Sequence, residues 1–531
     1  MSPLQTRLRA LSSRLPGALR RGIEKESLRV RPDGTLALTP HPAALGAALT
    51  HPHITTDFSE SQVELITAAQ PTADACLAEL TDIHGFVYRQ LGDDLLWAAS
   101  MPCALPEEHA IPIARFGPSN VGRAKTVYRT GLSHRYGRRM QMISGLHYNF
   151  SLVEDRWPVA DLDDVDQAYF ALIRNFRRHA WLLLYLFGAS PVVCSTFVEG
   201  RPHELAELSP GTLYLPYATS LRMGRLGYLS AAQDALAVSY NDLASYAASL
   251  EDALTQSYAA YESIGLRDAA GHRQLATSLL QIENEFYSTI RPKRVVKPGE
   301  RPLRALRERG VQYVEVRAMD LDPYSPIGIA APTARLLDMF LLHCLLSDSP
   351  RDSPAEIATI GRNKQRVASR GREPGLRLDR HDGEVELQQW AAQLLEAFAP
   401  IAEALDAANG GRAYGEALAA ARHSAANADS LPSARVVADI RDRYGGSYVR
   451  FALERSRQHR NAILDAPLAA EVESRFRRMA AESLEMQGKI EAADKLSFDA
   501  YLERFLAPES IRAREGFGRP AVRTNGGQRQ V

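Results

Sequence analysis

The sequence predicts an α+β fold, one sheet with helices packed round it, and three observations carry this expectation. Short β-like runs gather within the first 150 residues and again over 274–319, while 160–265 and the chain beyond 332 read as mainly helical. No internal repeat and no long linker separates these regions, so the strand-bearing parts are expected in a single sheet. At 531 residues, 45% apolar and 24% charged, the chain can bury a sizeable core, and a disordered, collagen-like or disulfide-framework protein is excluded.

The elements follow in order. Leu4, Leu8, Leu11 and Leu15 fall at helical spacing and Pro16-Gly17 ends the pattern, so an amphipathic helix is read here despite the transit-peptide-like excess of Arg. Strands are expected at 22–30, 54–56, 61–67 and 143–152, and a helix at 73–90. The 19 uncharged residues 180–198 are long enough to raise a membrane span. Gly188, Ser190 and Pro191 break that stretch, and the amphipathic pattern of Tyr169, Leu172, Ile173 and Phe176 runs into it, so a buried helix, turn and strand are expected instead. Strand character returns at 274–290 and 311–319. Helices follow at 334–347, after a capping box at 353–356 with Pro in the first turn, and at 468–490. The Gly- and Arg-rich tail after Gly516 reads as mobile.

Lys plus Arg and Asp plus Glu each number 63, and a chain of zero net charge is a poor candidate for coating nucleic acid. Cys76, Cys103, Cys194 and Cys344 form no C-x-x-C pair or regular framework, so reduced, mostly structural thiols in a reducing cytoplasm are expected. Residues 291–309 hold eight basic residues against two acids. This segment reads either as a solvated loop or as one that faces a nucleotide phosphate through Arg291, Lys293 and Arg294.

Strand residues i and i+2 share a face. On that rule GIEKESLRV aligns Glu24 with Glu26, SQVELIT aligns Gln62 with Glu64, and GLHYNF aligns His147 with Asn149. QIENEF aligns Glu283 with Glu285, YVEVRAM aligns Tyr313, Glu315 and Arg317, and Asp57 precedes the second of these runs. One such pair is usually a solvated face. Five of them on one sheet would make a wall of carboxylates with one imidazole, which repels itself without cations. Oxygen-rich ligation with a single His suits Mg²⁺ or Mn²⁺, in more than one position, and hard cations beside Arg and Lys suit a polyphosphate. No Walker or dinucleotide glycine motif occurs.

The segments RGIEKESLRV, TTDFSESQVELIT, SGLHYNFSL, YLFGASP, LPYATSLRM, QIENEFYSTIRPKR and YVEVRAMDLDPYSPIGI, in this order, resemble the proteobacterial type of glutamate–cysteine ligase from about residue 20 to 350. Beyond 350 only 363–366 and GREPGL at 371–376 continue the likeness. The resemblance implies a glutamine-synthetase-like curved antiparallel sheet forming a funnel, with helices outside. It implies ATP-dependent joining of the γ-carboxyl of L-glutamate to the amine of L-cysteine, the first step of glutathione synthesis. Metal ligands are then implied at Glu24, Glu26, Asp57, Glu64, His147 and Glu315. A cysteine pocket is implied at Phe58, Tyr128, Arg129, Leu132, Gln141, Tyr228 and Tyr287, and a substrate-carboxylate partner at Arg222. Acyl transfer through a phosphate needs a cation at the oxyanion, for which Arg317 is the first candidate and Arg129 the second. The expected organisation is a catalytic core over 1–350, a helical part over 351–515 packed on it, and the tail 516–531. A related ligase with another amine acceptor and a phosphagen-kinase-like phosphotransferase are the competing enzyme readings, and a basic-loop binding module is the non-enzyme one. No nucleic-acid or membrane partner is expected, and oligomeric state stays open.

Overall fold

The structure, a computed structural model, describes residues 3–153, 156–157, 165–227, 231–234, 236 and 238–514. The tail expected to be mobile and Tyr228 lie outside the described residues. Seven strands form the main sheet: β1 (Leu19–Val30), β2 (Ile54–Thr56), β3 (Gln62–Ile66), β4 (Leu95–Leu96), β5 (Leu146–Leu152), and two that come later in the chain. Between them lie a small three-stranded sheet of β6 (Val192–Cys194), β7 (Ala206–Ser209) and β8 (Thr212–Tyr214), and a short hairpin of β9 (Arg267–Asp268) and β10 (Gly271–His272). β11 (Ile290–Lys293) and β12 (Tyr313–Met319) then return to the main sheet, whose order is β11-β12-β5-β1-β3-β2 with β4 on the far end of β1. Every pairing in it is antiparallel.

The sheet works because its two faces differ in chemistry. Ile23, Val63, Leu65, Tyr148, Phe150, Val314 and Val316 are buried and share one face, where β-branched and aromatic side chains pack well on the pleat. The helices Ala73–Gln90, Val165–His179 and Ala331–Leu346 belong to the same apolar cluster. The last of these is buried on every side, as expected of a central helix. One polar network crosses this layer: Asp338 on that helix pairs with Arg21 at 2.7 Å and accepts from Tyr148 Oη at 2.8 Å and Tyr414 Oη at 2.9 Å.

Within the uncharged stretch 180–198 a buried helix (Trp181–Phe187), a turn and β6 follow one another as its internal breaks predict, and a four-residue helix (Ser195–Val198) closes it. Among the described residues no helix is long and apolar enough to cross a membrane. The helix Ala73–Gln90 has its expected bounds, opened by Thr72, whose side chain accepts from Ala75 N. The capping box is half formed: Ser353 Oγ accepts from Glu356 N, but the Glu356 carboxylate reaches Arg178 at 2.6 Å instead of turning back.

Two expectations need correction. Residues 274–290 are not a strand: the chain bends through them, Glu283–Glu285 is a 3₁₀ turn, and β11 begins only at Ile290. The physical reason is that both carboxylates are used locally. Glu283 pairs with Arg301 at 2.7 Å and accepts from Leu303 N, while Glu285 pairs with Arg135 at 2.9 Å and accepts from Gln281 N. Second, Cys103 and Cys194 are joined in a disulfide with Cα atoms 5.2 Å apart, so only Cys76 and Cys344 are free thiols, both buried. Both partners lie in the same secondary apolar cluster, a proximity that a separation of 91 residues along the chain conceals from the sequence.

Candidate active site

Cross-strand partners in an antiparallel sheet share a face. Glu24 stands opposite His147, Glu26 opposite Glu64, and Glu315 opposite both Asn149 and Arg291. The pairs expected on β1, β3, β5 and β12 therefore assemble on one face, as their period of two requires. Ligating atoms of Glu24, Glu64 and His147 come within 4.8 Å of one another. His147 Nδ1 lies 3.2 Å from Glu24 and 3.8 Å from Glu315, and its Nε2 lies 3.6 Å from Glu26. Asn149 Nδ2 donates to Glu24 Oε1 at 2.8 Å, and Gly145 N donates to Glu26 Oε2 at 2.7 Å.

Charge is distributed unevenly over this face. Burial and the Asp57 carboxylate push Glu26 up to about 8, against the pull of Arg222 and Arg317. Burial, with Glu24, Asp57 and Glu26 around it, raises Glu64 well above the usual carboxylate range. At the other end burial also acts on Glu315, but Lys293, Arg317, His147 and Arg291 outweigh it and hold its carboxyl well below the usual range. Burial, followed by Arg317, lowers His147 and keeps the imidazole neutral, the form that donates a lone pair to a metal. A cluster of oxygen donors with one neutral imidazole fits a hard divalent cation, and the raised carboxyls on β1 and β3 are where positive charge is lacking.

Cations ring the cluster. Arg317 Nη1 lies 3.3 Å from Glu315, on the same face, and the register with β5 shifts between Val316 and Met319, where pairing resumes opposite Leu146. Lys293 Nζ lies 3.3 Å and Arg291 Nη1 3.9 Å from Glu315. Arg294 is elsewhere, donating to the Arg309 carbonyl at 2.7 Å, because it falls past the end of β11 and off the shared face. The rest of the basic segment is largely tied to acids: Arg301 to Glu283, Arg304 to Glu308, Arg307 to Glu251 and Arg309 to Glu300. Much of it is the helix Pro302–Arg309, not a loop.

On the other side, the helix Asn120–Tyr136 carries Tyr128, Arg129 and Leu132. Arg129 Nε donates to the Asp57 carbonyl and its guanidinium stacks 4.4 Å over the Phe116 ring. Phe58 and Leu132 are buried in one apolar cluster, with Tyr128 packed against it. Gln141 Nε2 donates to Tyr287 Oη at 3.1 Å, and Tyr287 N donates to Gln233. Arg222 Nη2 donates to the Arg317 carbonyl at 3.1 Å, and its guanidinium occupies the space that a Cβ on Gly145 would need. The sequence reading passed over Gly145, Lys125 (lowered to about 8 by burial) and Asp320. Gly145 and Asp320 come against Arg222 through close approach in the tertiary structure rather than through alternation. The segment 363–366 is structural: Asn363 exchanges hydrogen bonds with the backbone of Asp379, and Arg366 pairs with its carboxylate.

An antiparallel sheet with one packed face and one face of carboxylates, imidazole and cations is suited to hold cations and anionic substrates together. Comparison with known proteins narrows the class. The family model described as glutamate-cysteine ligase matches residues 8–367. Proteins named glutamate–cysteine ligase from Pseudomonas aeruginosa PAO1 and Azotobacter vinelandii DJ are each 50% identical, with 92% of this chain and 94% of theirs aligned. The crystal structure of a glutamate–cysteine ligase from Francisella tularensis in complex with AMP superposes with a TM-score of 0.87 at 37% identity, covering 92% of this chain and 97% of that one. A bifunctional glutathione synthetase from Pasteurella multocida gives 0.70 at 25% identity, over 90% of this chain and 58% of that one. The chain belongs to the glutamate–cysteine ligase family.

Proposed function

We propose that this enzyme joins the γ-carboxyl of L-glutamate to the amine of L-cysteine, using ATP and passing through γ-glutamyl phosphate, as the first step of glutathione synthesis. The observation that supports this most is the convergence of Glu24, Glu64 and His147 beside the compensated Glu315 and the cations Arg222, Arg317 and Lys293. Glu24, Glu26, Asp57, Glu64, His147 and Glu315 would hold more than one Mg²⁺ or Mn²⁺. Such ions supply charge neutralisation while a phosphoryl group passes between two anions.

The chain's own residues do the rest. Lys293 and Arg291 face the nucleotide phosphates from the β11 edge. Arg222 holds a glutamate carboxylate. The γ-carboxylate oxygen attacks the γ-phosphorus of ATP and ADP leaves; the cysteine amine then attacks the acyl carbon, and inorganic phosphate leaves as the amide forms. Arg317 meets the oxyanion of that second step, with Arg129 between phosphate and acceptor. Phe58, Tyr128, Leu132, Gln141 and Tyr287 enclose the thiol side chain. Residues 1–350 form the catalytic core and 351–515 its packed helical support, in a cytoplasmic enzyme. ADP release with each amino acid omitted in turn tests the reading: turnover should need both glutamate and cysteine and stop with excess chelator. Equal rates with leucine in place of cysteine would overturn the acceptor assignment, and turnover in chelator the metal one.

A further inference from the structure

We propose that Asp320 and Arg372 are positioning residues that together set the Arg222 guanidinium at the glutamate carboxylate, an inference that rests on the reading of Arg222 just given. Arg222 sits in the segment 215–223, which has no strand or helix of its own. An irregular segment holds a guanidinium in a fixed place only if its backbone is tied down from outside.

Two ties do this. Asp320 follows β12 directly and is buried. Its Oδ2 accepts from Ala189 N at 2.9 Å and Ser190 Oγ at 2.7 Å, its Oδ1 accepts from Ser220 Oγ at 3.0 Å, and the same oxygen lies 3.8 Å from Arg222 Nη1. Ser220 Oγ in turn accepts from Met223 N at 3.2 Å, so one carboxylate holds both flanks of Arg222 and its head group. The second tie comes from the GREPGL segment. Arg372 donates from Nη2 to the Pro216 carbonyl at 2.7 Å, from its backbone N to Tyr217 at 3.0 Å, and from Nε to Ala218 at 3.2 Å. Just before it, the Ala368 carbonyl accepts from Thr219 N and Ser220 N at 3.0 and 3.1 Å, and Val367 accepts from Thr219 Oγ1. Five consecutive residues before Leu221, 216–220, are thereby fixed from one side and the guanidinium from the other. Asp320 also follows directly on the strand of Glu315 and Arg317, so the groups read as holding metal and meeting the oxyanion and the tie on Arg222 share one stretch of chain.

Steady-state kinetics on the full chain, with melting curves, decide the matter. Asp320→Asn and Arg372→Ala should each raise the glutamate KM about ten-fold while the ATP and cysteine KM values stay within about two-fold. Arg372→Lys, which keeps charge but not the fork of donors, should fall between. Combined with Arg222→Lys, Asp320→Asn should add little, because both changes act through one contact. If Arg222→Lys raises the glutamate KM but neither Asp320→Asn nor Arg372→Ala does, or if the effects of Asp320→Asn and Arg222→Lys simply multiply, positioning is overturned and the reading of Arg222 stands. If Arg222→Lys leaves the glutamate KM unchanged, that reading falls and takes this inference with it. Should Asp320→Asn fail to fold, Arg372→Ala decides by the same criterion.

Discussion

Glu26 and Glu64 face each other across β1 and β3, each raised by burial and by neighbouring carboxylates. Glu26 moves from 4.5 to about 8, so the stability it contributes is complete below about 4.5 and is lost as the pH rises through about 8. A divalent ion held by the proposed ligands would bind the deprotonated forms and remove this penalty. The gain in melting temperature on adding Mg²⁺ should therefore be larger at pH 8 than at pH 6, and calorimetry in buffers of different ionisation enthalpy should show proton release on binding. Equal gains at both values would contradict the assignment. Glu315 behaves in the opposite way, because its charge is already balanced by Lys293 and Arg317. From the sequence, Glu315→Gln is expected to leave the melting temperature unchanged or raised. The ion pairs revise that expectation: the change strands the cations and should cost roughly 3 kcal/mol as well as turnover. Glu64→Gln should abolish turnover with an unchanged or raised melting temperature. Melting curves of the two variants, measured without metal, separate the cases.

At the scale of the strand, β12 alternates with consequence. Glu315 lies on the charged face, whereas Val314 and Val316 are fully buried on the other. Val316→Ala should lower stability by roughly 2 kcal/mol through lost apolar burial, with near-normal kcat in the folded fraction. A loss of kcat without loss of stability would mean that the register is shifted by one. Alternation made β1, β3, β5 and β12 legible in the sequence, and the same rule misread QIENEF. There the two glutamates anchor Arg301 and Arg135 in a bend, and spacing alone does not distinguish a shared strand face from two separate buried ion pairs.

Across the whole molecule one apolar cluster runs from Leu8 to Ile511 and includes both the sheet's packed face and the C-terminal helices. Tyr414 reaches from the latter to Asp338 beneath the sheet. The proposed boundary at 350 therefore divides roles within one continuous apolar core. The fragment 1–350 would expose the helix Ala331–Leu346, which is buried all round in the intact chain, and should be insoluble or molten. The full chain should unfold in a single calorimetric transition. Two resolved transitions, or a soluble fragment with a sharp melt, would show that the halves fold separately.

By itself the sequence determined which residues share a strand face, the oxygen-rich character of the donors and the order of motifs that resembles glutamate–cysteine ligase. All three are local properties, set by covalent geometry with a period of two and by side-chain chemistry. Only the tertiary structure decided that Glu283 and Glu285 are structural, that Arg294 turns away, that Cys103 meets Cys194, and that Asp320 and Arg372 converge on the segment of Arg222. Asp320 is 98 to 100 residues from Arg222 and Ser220, and Arg372 stands beyond the span where the motifs are continuous. Contacts over such distances depend on how loops close and helices pack, and a single sequence carries no local signal for either.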